Sequence, residues 1–520
     1  MPRKKKKNTI LEQILIEDFA AEGKSLARWE GKVVFVERTV PGDVVDIFLF
    51  KNKKDWAEGY PLTFHQMSPE RVTPFCEHFG DCGGCQWQMV AYEDQLKFKQ
   101  QQVKDALQRI GKIPLPEFLP IIGAKDNRYY RNKLEYTFGT MKYIPEAEYK
   151  RASPNPSEEK ASPNPSQGGA LESSILDSVS DIEESSEVPP CGGFRGAVGA
   201  VGFHAKGLFD KVVDINRCHL QPEPSNEIRE TIREYARTNN LSFYNVRHHT
   251  GYLRNIQIRI CSTGEVMVNV IMAEDDFEKT RKLLHYLLEK VPSITTLLYT
   301  VNTKWNDSLH DQEPVIFSGK GYVIEKLSAG PGGEDFQFKI GPKSFFQTNT
   351  FQAEQLYKVA RDFAELTGKE IVYDLYCGTG SIGIFVSKKA GKIIGVEMIE
   401  AAIEDARENA AMNNLTAAEF IAGDVIDICN DEFFETHGRP DVIITDPPRA
   451  GMHPKLVNKI LEIAAPVIVY VSCNPATQGR DLNLLGEKYE VTKVQPVDMF
   501  PHTYHIENVV QLKLRENTMN

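Results

Sequence analysis

From about residue 350 onward the chain alternates helical stretches with the short apolar runs "EIVYDLY", "KIIGVEM", "DVIITDPP" and "PVIVYVSC". Apolar runs of strand length, each separated from the next by a helix, imply a doubly wound, mostly parallel sheet covered on both faces. Such a sheet binds its ligands beyond the carboxyl ends of its strands. The residues that close each run are therefore the first candidates for a functional site. At 520 residues the chain exceeds one core, and a prior of roughly 150 residues per domain suggests three or four.

The segments before residue 350 read differently. "KVVFVERTVPGDVVDIFLFKNKKDWAEGYPLTF" (32–64) breaks short β-branched runs with Pro-Gly and lysines, the pattern of a small antiparallel barrel. Between about 194 and 340, strand-like "NIQIRI" and "VMVNVIM" accompany one long helical stretch, "AEDDFEKTRKLLHYLLEK", as in an α+β domain. We expect a multidomain α/β protein, with a barrel at 8–67, a central α+β domain at 68–345 and a Rossmann-like domain at 346–520. A Ser-, Pro- and Glu-rich stretch at 152–190, with "ASPNPS" twice, reads as a disordered acidic insertion.

Net charge is −11, which at first argues against a polyanionic partner. Residues 153–190 alone contribute −7, however, leaving −4 for the rest, and local patches decide nucleic-acid binding. The start "MPRKKKKNT" lacks the apolar stretch of a secretory signal, and no apolar run has the length of a membrane span. A cytoplasmic protein is expected. Nine cysteines fit a reducing compartment, where clustered thiols suggest metal binding or catalysis before disulfides.

"YDLYCGTGSIGI" (373–384) holds Gly378-x-Gly380-x-x-Gly383 between a strand and a helix, with Glu397 ending the next strand. Glycines let the backbone approach a ligand closely, and a carboxylate there accepts from ribose hydroxyls. This implies an adenosine cofactor, and nicotinamide and S-adenosylmethionine sites share the geometry. Asp446 in "DVIITDPPRAG" ends a strand on the same side, pushed toward an extended conformation by the proline after it. Cys473 ends "PVIVYVS". A lone cysteine is more often a packed thiol, yet the strand end, the Asn-Pro turn and the converging motifs favour a nucleophile.

"SFFQTN", "DLYCGTGSIG", "DPPRAG", "VSCNPAT" and "HIENVV", in this order, resemble the S-adenosylmethionine-dependent RNA uracil-5-methyltransferases, over nearly the whole chain. The resemblance implies a cysteine thiolate, Cys473, that adds to carbon 6 of uracil, and a base, Glu507, that removes the carbon 5 proton. Read without it, Glu507 is an exposed carboxylate leading a strand. The resemblance also implies that Gln347, Tyr376, Ser381, Glu397, Asp424 and Asp446 bind S-adenosylmethionine, although relatives often have Asn where Ser381 stands. Gln347 can equally be a polar residue before a helix capped by Asn349 or Thr350.

"PFCEHFGDCGGCQWQ" (74–88) sets Cys76, Cys82 and Cys85 at C-x5-C-x2-C spacing, with Cys218 far downstream. Four soft thiolates suit zinc or an iron-sulfur cluster, and spacing does not decide between them. The spacing resembles that of iron-sulfur members of this family, which implies a [4Fe-4S] cluster; Cys218 rests on that resemblance and Cys191 is its rival. The barrel resembles a TRAM domain, so RNA is the expected partner. Lys51, Lys53, Lys54, Trp56 and the basic-aromatic "NRYYRNKLEY" (127–136) are candidate contacts.

The sequence is thus expected to encode a monomeric methyltransferase acting on ribosomal RNA, 23S favoured over transfer RNA. A nicotinamide-dependent iron-sulfur oxidoreductase and a non-catalytic RNA-binding factor are the alternatives from other classes.

Overall fold

A computed structural model describes residues 9–114, 116–145, 199–330 and 335–516. The acidic insertion expected at 152–190, and Cys191, lie outside the described residues.

The first sheet contains β1 (Thr9–Leu15), β2 (Asp18–Phe19), β3 (Ser25–Trp29), β4 (Lys32–Val36), β5 (Val44–Asn52) and β6 (Trp56–Gln66), in the order β1-β5-β6-β4-β3-β2. Alternate residues of β5, namely Val45, Ile47 and Leu49, point inward with Leu11, Val34, Val36 and Ala57. This is the period of a sheet with one wet face. One pairing differs from the expected antiparallel pattern: β4 and β6 run parallel. The chain crosses from β4 through β5 before β6 returns, so the long β6 pairs antiparallel with β5 on one side and parallel with β4 on the other.

A linker follows, with α1 (Tyr92–Asp105) and the short β7 (Glu117–Phe118). Then come β8 (Lys133–Gly139), β9 (Ala200–His204), β10 (Val212–Asp214), α2 (Ser225–Thr238), β11 (Leu253–Ile260), β12 (Val266–Met272), α3 (Phe277–Lys290), β13 (Thr296–Val301) and β14 (Val315–Ser318). Their seven strands form one sheet, β10-β9-β8-β11-β12-β13-β14. All of "VMVNVIM" is buried, as a run without alternation requires. α3 makes the crossover between the parallel strands β12 and β13. A hairpin of β15 (Val323–Ser328) and β16 (Asp335–Ile340) follows.

The remaining elements are α4 (Thr350–Phe363), β17 (Ile371–Leu375), α5 (Ser381–Val386), β18 (Lys392–Glu397), α6 (Glu400–Met412), β19 (Ala418–Ala422), α7 (Val425–Ile428), α8 (Asp431–His437), β20 (Val442–Thr445), α9 (Pro454–Ile463), β21 (Val467–Ser472), α10 (Pro475–Leu485), β22 (Tyr489–Val497) and β23 (Glu507–Leu514). The sheet order is β19-β18-β17-β20-β21-β23-β22-β7. The strands from β19 to β21 are parallel, and β23 enters antiparallel between β21 and β22. The four runs read as strands in the sequence are β17, β18, β20 and β21.

Two upstream segments join this last unit. β7 pairs with β22 at the sheet edge, and Val323, Leu327, Phe336 and Phe338 share a core with Leu356, Ile384 and Phe385. Among the described residues no helix is long and apolar enough to cross a membrane.

Core packing in this sheet is tight at Gly395 of β18. A Cβ there would stand 2.3 Å and 2.6 Å from ring atoms of Phe420 and 3.1 Å from Cys377 Sγ. Gly395→Ala is therefore expected to destabilise by about 1–3 kcal/mol through overpacking, read as a lowered calorimetric melting midpoint; an unchanged midpoint would refute this packing.

Candidate active site

The carboxyl ends of the parallel strands and the start of β23 lie along one edge. Gly380 closes the turn after β17 with φ +77, and a Cβ on it would press to 2.8 Å from Phe420. Gly378, with φ +53, has open space where a Cβ would be. Both positions require glycine, the first for packing and the second for a ligand's approach. Tyr376 is a non-glycine residue with φ +61, a strained conformation that the loop holds at the cleft. Glu397 fixes the loop from the next strand: it accepts from Gly378 N at 3.3 Å and from Ile399 N at 3.0 Å.

The cleft is lined by all eight residues that the sequence pointed to here: Gln347, Tyr376, Ser381, Glu397, Asp424, Asp446, Cys473 and Glu507. Ser381 Oγ shares a 2.9 Å hydrogen bond with Tyr357 OH. Asp424 caps α7 by accepting from Ile426 N at 2.9 Å. Asn349 caps α4 by accepting from Gln352 N, so the turn holding Gln347 is also a helix start. Gln347 itself is buried, and its carbonyl accepts from Asn132 Nδ2 at 2.9 Å. The open glycine cradle, the carboxylate of Glu397 and the surrounding polar side chains suit an adenosyl ligand.

Strand register brings the reactive candidates together. Ser472 pairs with Asn508 and Val497 with Glu507; the β21–β23 register continued one step past Ser472 sets Cys473 toward Glu507, whose charge acts on the thiol. Adjacent strands lie about 4.8 Å apart. Asp446 follows β20, whose Thr445 pairs with Tyr470 of β21.

Desolvation governs the electrostatics. Burial, reinforced by the negative charge of Asp446, pushes the Glu507 carboxyl well above its usual range, while Arg449 opposes the rise. Burial also lifts Asp446 to about 7. Asp374, wholly buried beneath the glycine loop and accepting from Gly383 N at 2.8 Å, is likewise lifted to about 7. The Cys473 thiol is pushed up to about 11 by burial and by the acids Glu507 and Asp446, with Arg449 acting the other way. Arg449 also donates to His505 Nδ1. His505 is held down at about 4, first by burial and then by Arg449, so it is a neutral acceptor at pH 7.

Arg449, Cys473 and His505 line a second cavity as well, a groove that runs past Tyr504 and α1 to Phe19, Arg28 and Phe35 of the first sheet. Cys473 is therefore part of the wall of both cavities. Arg449 lies inside "DPPRAG" and His505 two residues before Glu507. Sequence reasoning quoted both without giving either a role, because their pairing depends on how far β20 stands from β23. Of the expected RNA contacts, Lys51 Nζ lies 4.3 Å from the Trp56 ring centre and Arg131 reaches the cleft. Tyr130 is instead a core residue, donating to Pro501 O at 3.0 Å.

Cys76, Cys82, Cys85 and Cys218 line one small cavity with Phe79, Phe203, Ile215 and Leu220. Burial raises all four thiols, Cys82 and Cys85 to about 12. Among the described residues, no three or more His, Cys, Asp or Glu side chains are gathered as ligands of a single metal ion. Cys261, Cys377 and Cys429 are buried packing residues.

Residues 310–515 match the family model described as tRNA (Uracil-5-)-methyltransferase. Two curated relatives, each called an uncharacterized RNA methyltransferase, span nearly the whole chain. That of Bacteroides thetaiotaomicron is 48% identical over 95% of this chain and 100% of its own. That of Porphyromonas gingivalis is 45% identical over 96% and 98%. The crystal structure of Pyrococcus abyssi tRNA (uracil-54, C5)-methyltransferase in complex with S-adenosyl-L-homocysteine superposes with a TM-score of 0.66 at 25% identity, covering 96% of this chain and 99% of that one.

A thiol raised to about 11 is protonated at neutral pH. Alkylation of Cys473 in the free protein, followed by peptide mass spectrometry, is expected to be slow at pH 7 and to rise about tenfold per pH unit up to pH 10, because only the thiolate reacts. A plateau below pH 9 would show that burial does not control this sulfur.

Proposed function

Because the chain belongs to the RNA uracil-5-methyltransferase family, a family of S-adenosylmethionine-dependent enzymes, we propose that it methylates carbon 5 of a uridine in RNA, with 23S ribosomal RNA favoured and transfer RNA the alternative, through a covalent bond to Cys473. This membership removes the oxidoreductase and the non-catalytic factor as alternatives. The observation that carries the covalent reading is the strand register that sets Cys473 toward Glu507 at the edge of the cleft.

Uracil carbon 5 is a poor nucleophile. Addition of the Cys473 thiolate to carbon 6 moves the ring's electrons into an enolate and makes carbon 5 electron-rich. When bound, S-adenosylmethionine supplies an electrophilic methyl group for that carbon. Glu507 then takes the carbon 5 proton; the electrons of the C–H bond form the carbon 5–carbon 6 double bond and expel the thiolate. A carboxylate whose conjugate acid is weakened by burial is a stronger base for this step than one in water. Asp446, which lines the same cleft as Cys473, is assigned to both ligands, and Gln347, Tyr376, Ser381, Glu397 and Asp424 to the donor. The uracil has to leave any stack to reach the sulfur.

We assign the four clustered cysteines to a [4Fe-4S] cluster that supports the fold or the RNA contact, since methyl transfer needs no electron. Four thiols share one cavity whose wall is largely apolar and also includes His78 and His219, and four soft sulfur ligands suit iron-sulfur chemistry. In the domain reading, the barrel at 8–67 and the sheet within 68–345 present the RNA, and the unit at 346–520, joined by α1, β7 and the β15–β16 hairpin, carries out the chemistry.

Cys473→Ala is expected to abolish tritium transfer from labelled S-adenosylmethionine to RNA while S-adenosylhomocysteine still binds; retained turnover would remove the covalent step. Fractionating the labelled product tests the RNA class, and counts in transfer RNA alone would overturn the ribosomal assignment. Protein purified without oxygen should contain about four irons and four sulfides per chain, the composition of a [4Fe-4S] centre. A Cys218→Ser variant should lose the accompanying visible absorption, and colourless parent protein containing zinc would defeat the cluster.

A further inference from the structure

The buried stripe of α1 is Gln95, Lys99 and Val103, at four-residue spacing. Two polar residues, one of them charged, are unusual on such a stripe, because burial is unfavourable unless they are partnered. Both find partners in one place, the loop between β22 and Glu507. Lys99 and Asp498 are fully buried, and Lys99 Nζ donates to Asp498 Oδ1 at 2.6 Å and to Phe500 O at 3.1 Å. Tyr92 OH donates to Asp498 Oδ2 at 2.8 Å. Gln95 Oε1 accepts from His502 N at 2.9 Å. Asp498 directly follows Val497, the cross-strand partner of Glu507.

The far end of the same helix meets the other catalytic element. Past Asp105 the chain turns at Gly111 against Gly479 of α10, the helix that begins two residues after Cys473. A Cβ on Gly479 would stand 3.0 Å from Ala106 O, and one on Gly111 would stand 3.1 Å from Gly479 O. Backbone therefore meets backbone, with no side chain between them to yield. Val103 and Leu107 share a core with Tyr470, Leu482 and Leu485.

We infer that α1 is a strut that sets the distance between nucleophile and base, and that Lys99 and Asp498 are positioning residues for proton abstraction at carbon 5. One end of the helix fixes the base loop and the other fixes the nucleophile helix. The inference rests on the reading of Glu507 as the base. In the step concerned, the carbon 5–hydrogen bond breaks, its electrons form the ring double bond, and the carbon 6–sulfur bond releases thiolate to Cys473. Addition needs the sulfur alone, whereas elimination needs sulfur and carboxylate in register. Loosening the strut should therefore slow the second step more than the first.

The test uses the full-length protein, 23S and transfer RNA transcripts free of 5-methyluridine, and tritiated S-adenosylmethionine, with the protein–RNA adduct followed on denaturing gels. Glu507→Gln is the control and should trap labelled adduct. Lys99→Met and Asp498→Asn should also accumulate it and release it more slowly than the parent, on the order of 10- to 100-fold as for misplaced groups, with S-adenosylhomocysteine affinity within about twofold of the parent. A merely structural loss would lower adduct formation and donor affinity together and would overturn the proposal. Tyr92→Phe, which removes a single hydrogen bond, should give a smaller delay in the same direction and serves if the charge variants do not fold. Trapping by Glu507→Gln together with parent-like release in all three strut variants would overturn the strut alone. No trapping in Glu507→Gln would overturn the base assignment instead.

Discussion

The hydrogen-bonded insertion of β23 between β21 and β22 is the constraint on which the site depends. A purely parallel sheet brings only the carboxyl ends of its strands to the ligand edge. By running the other way, β23 delivers the beginning of a strand to that edge, beside the end of β21. A carboxylate is thus brought beside a thiol, although 34 positions of numbering separate Cys473 from Glu507. Register in a sheet buried on both faces is hard to slip, because a shift by one residue reverses every side chain. The geometry between acid and sulfur is accordingly as firm as the core itself.

Much of the catalytic unit was legible in the sequence for an equally physical reason. β17, β18, β20 and β21 are buried on both faces and so read as unbroken apolar runs, and the glycines at 378 and 380 occupy left-handed backbone that the sequence advertises. Cys473 was found because it closes such a run. Glu507 was reached only by resemblance, since nothing local to "HIENVV" reveals that its strand is antiparallel. The buried pairing of Lys99 with Asp498 was invisible: a lysine in "QLKFKQQQVKD" looks like one more solvated charge, and its partner lies 399 residues away. β7 escaped notice because a two-residue strand carries no periodicity.

The charges around the thiol follow a single logic. Three acids, Asp374, Asp446 and Glu507, are drawn into a region poor in water, and each responds by holding its proton more tightly. The nearby cation, Arg449, is engaged by a histidine that burial keeps neutral, so its positive charge is not cancelled. Burial therefore favours the protonated form of both the sulfur and the carboxyl in the empty cleft.

That Cys473 lines two cavities has a kinetic consequence. In the proposed reaction, a small donor in one cavity and RNA along the other would reach the same residue by separate entrances. Exchange of spent donor would then not require release of the polymer, and traffic through one doorway would not set the order of traffic through the other.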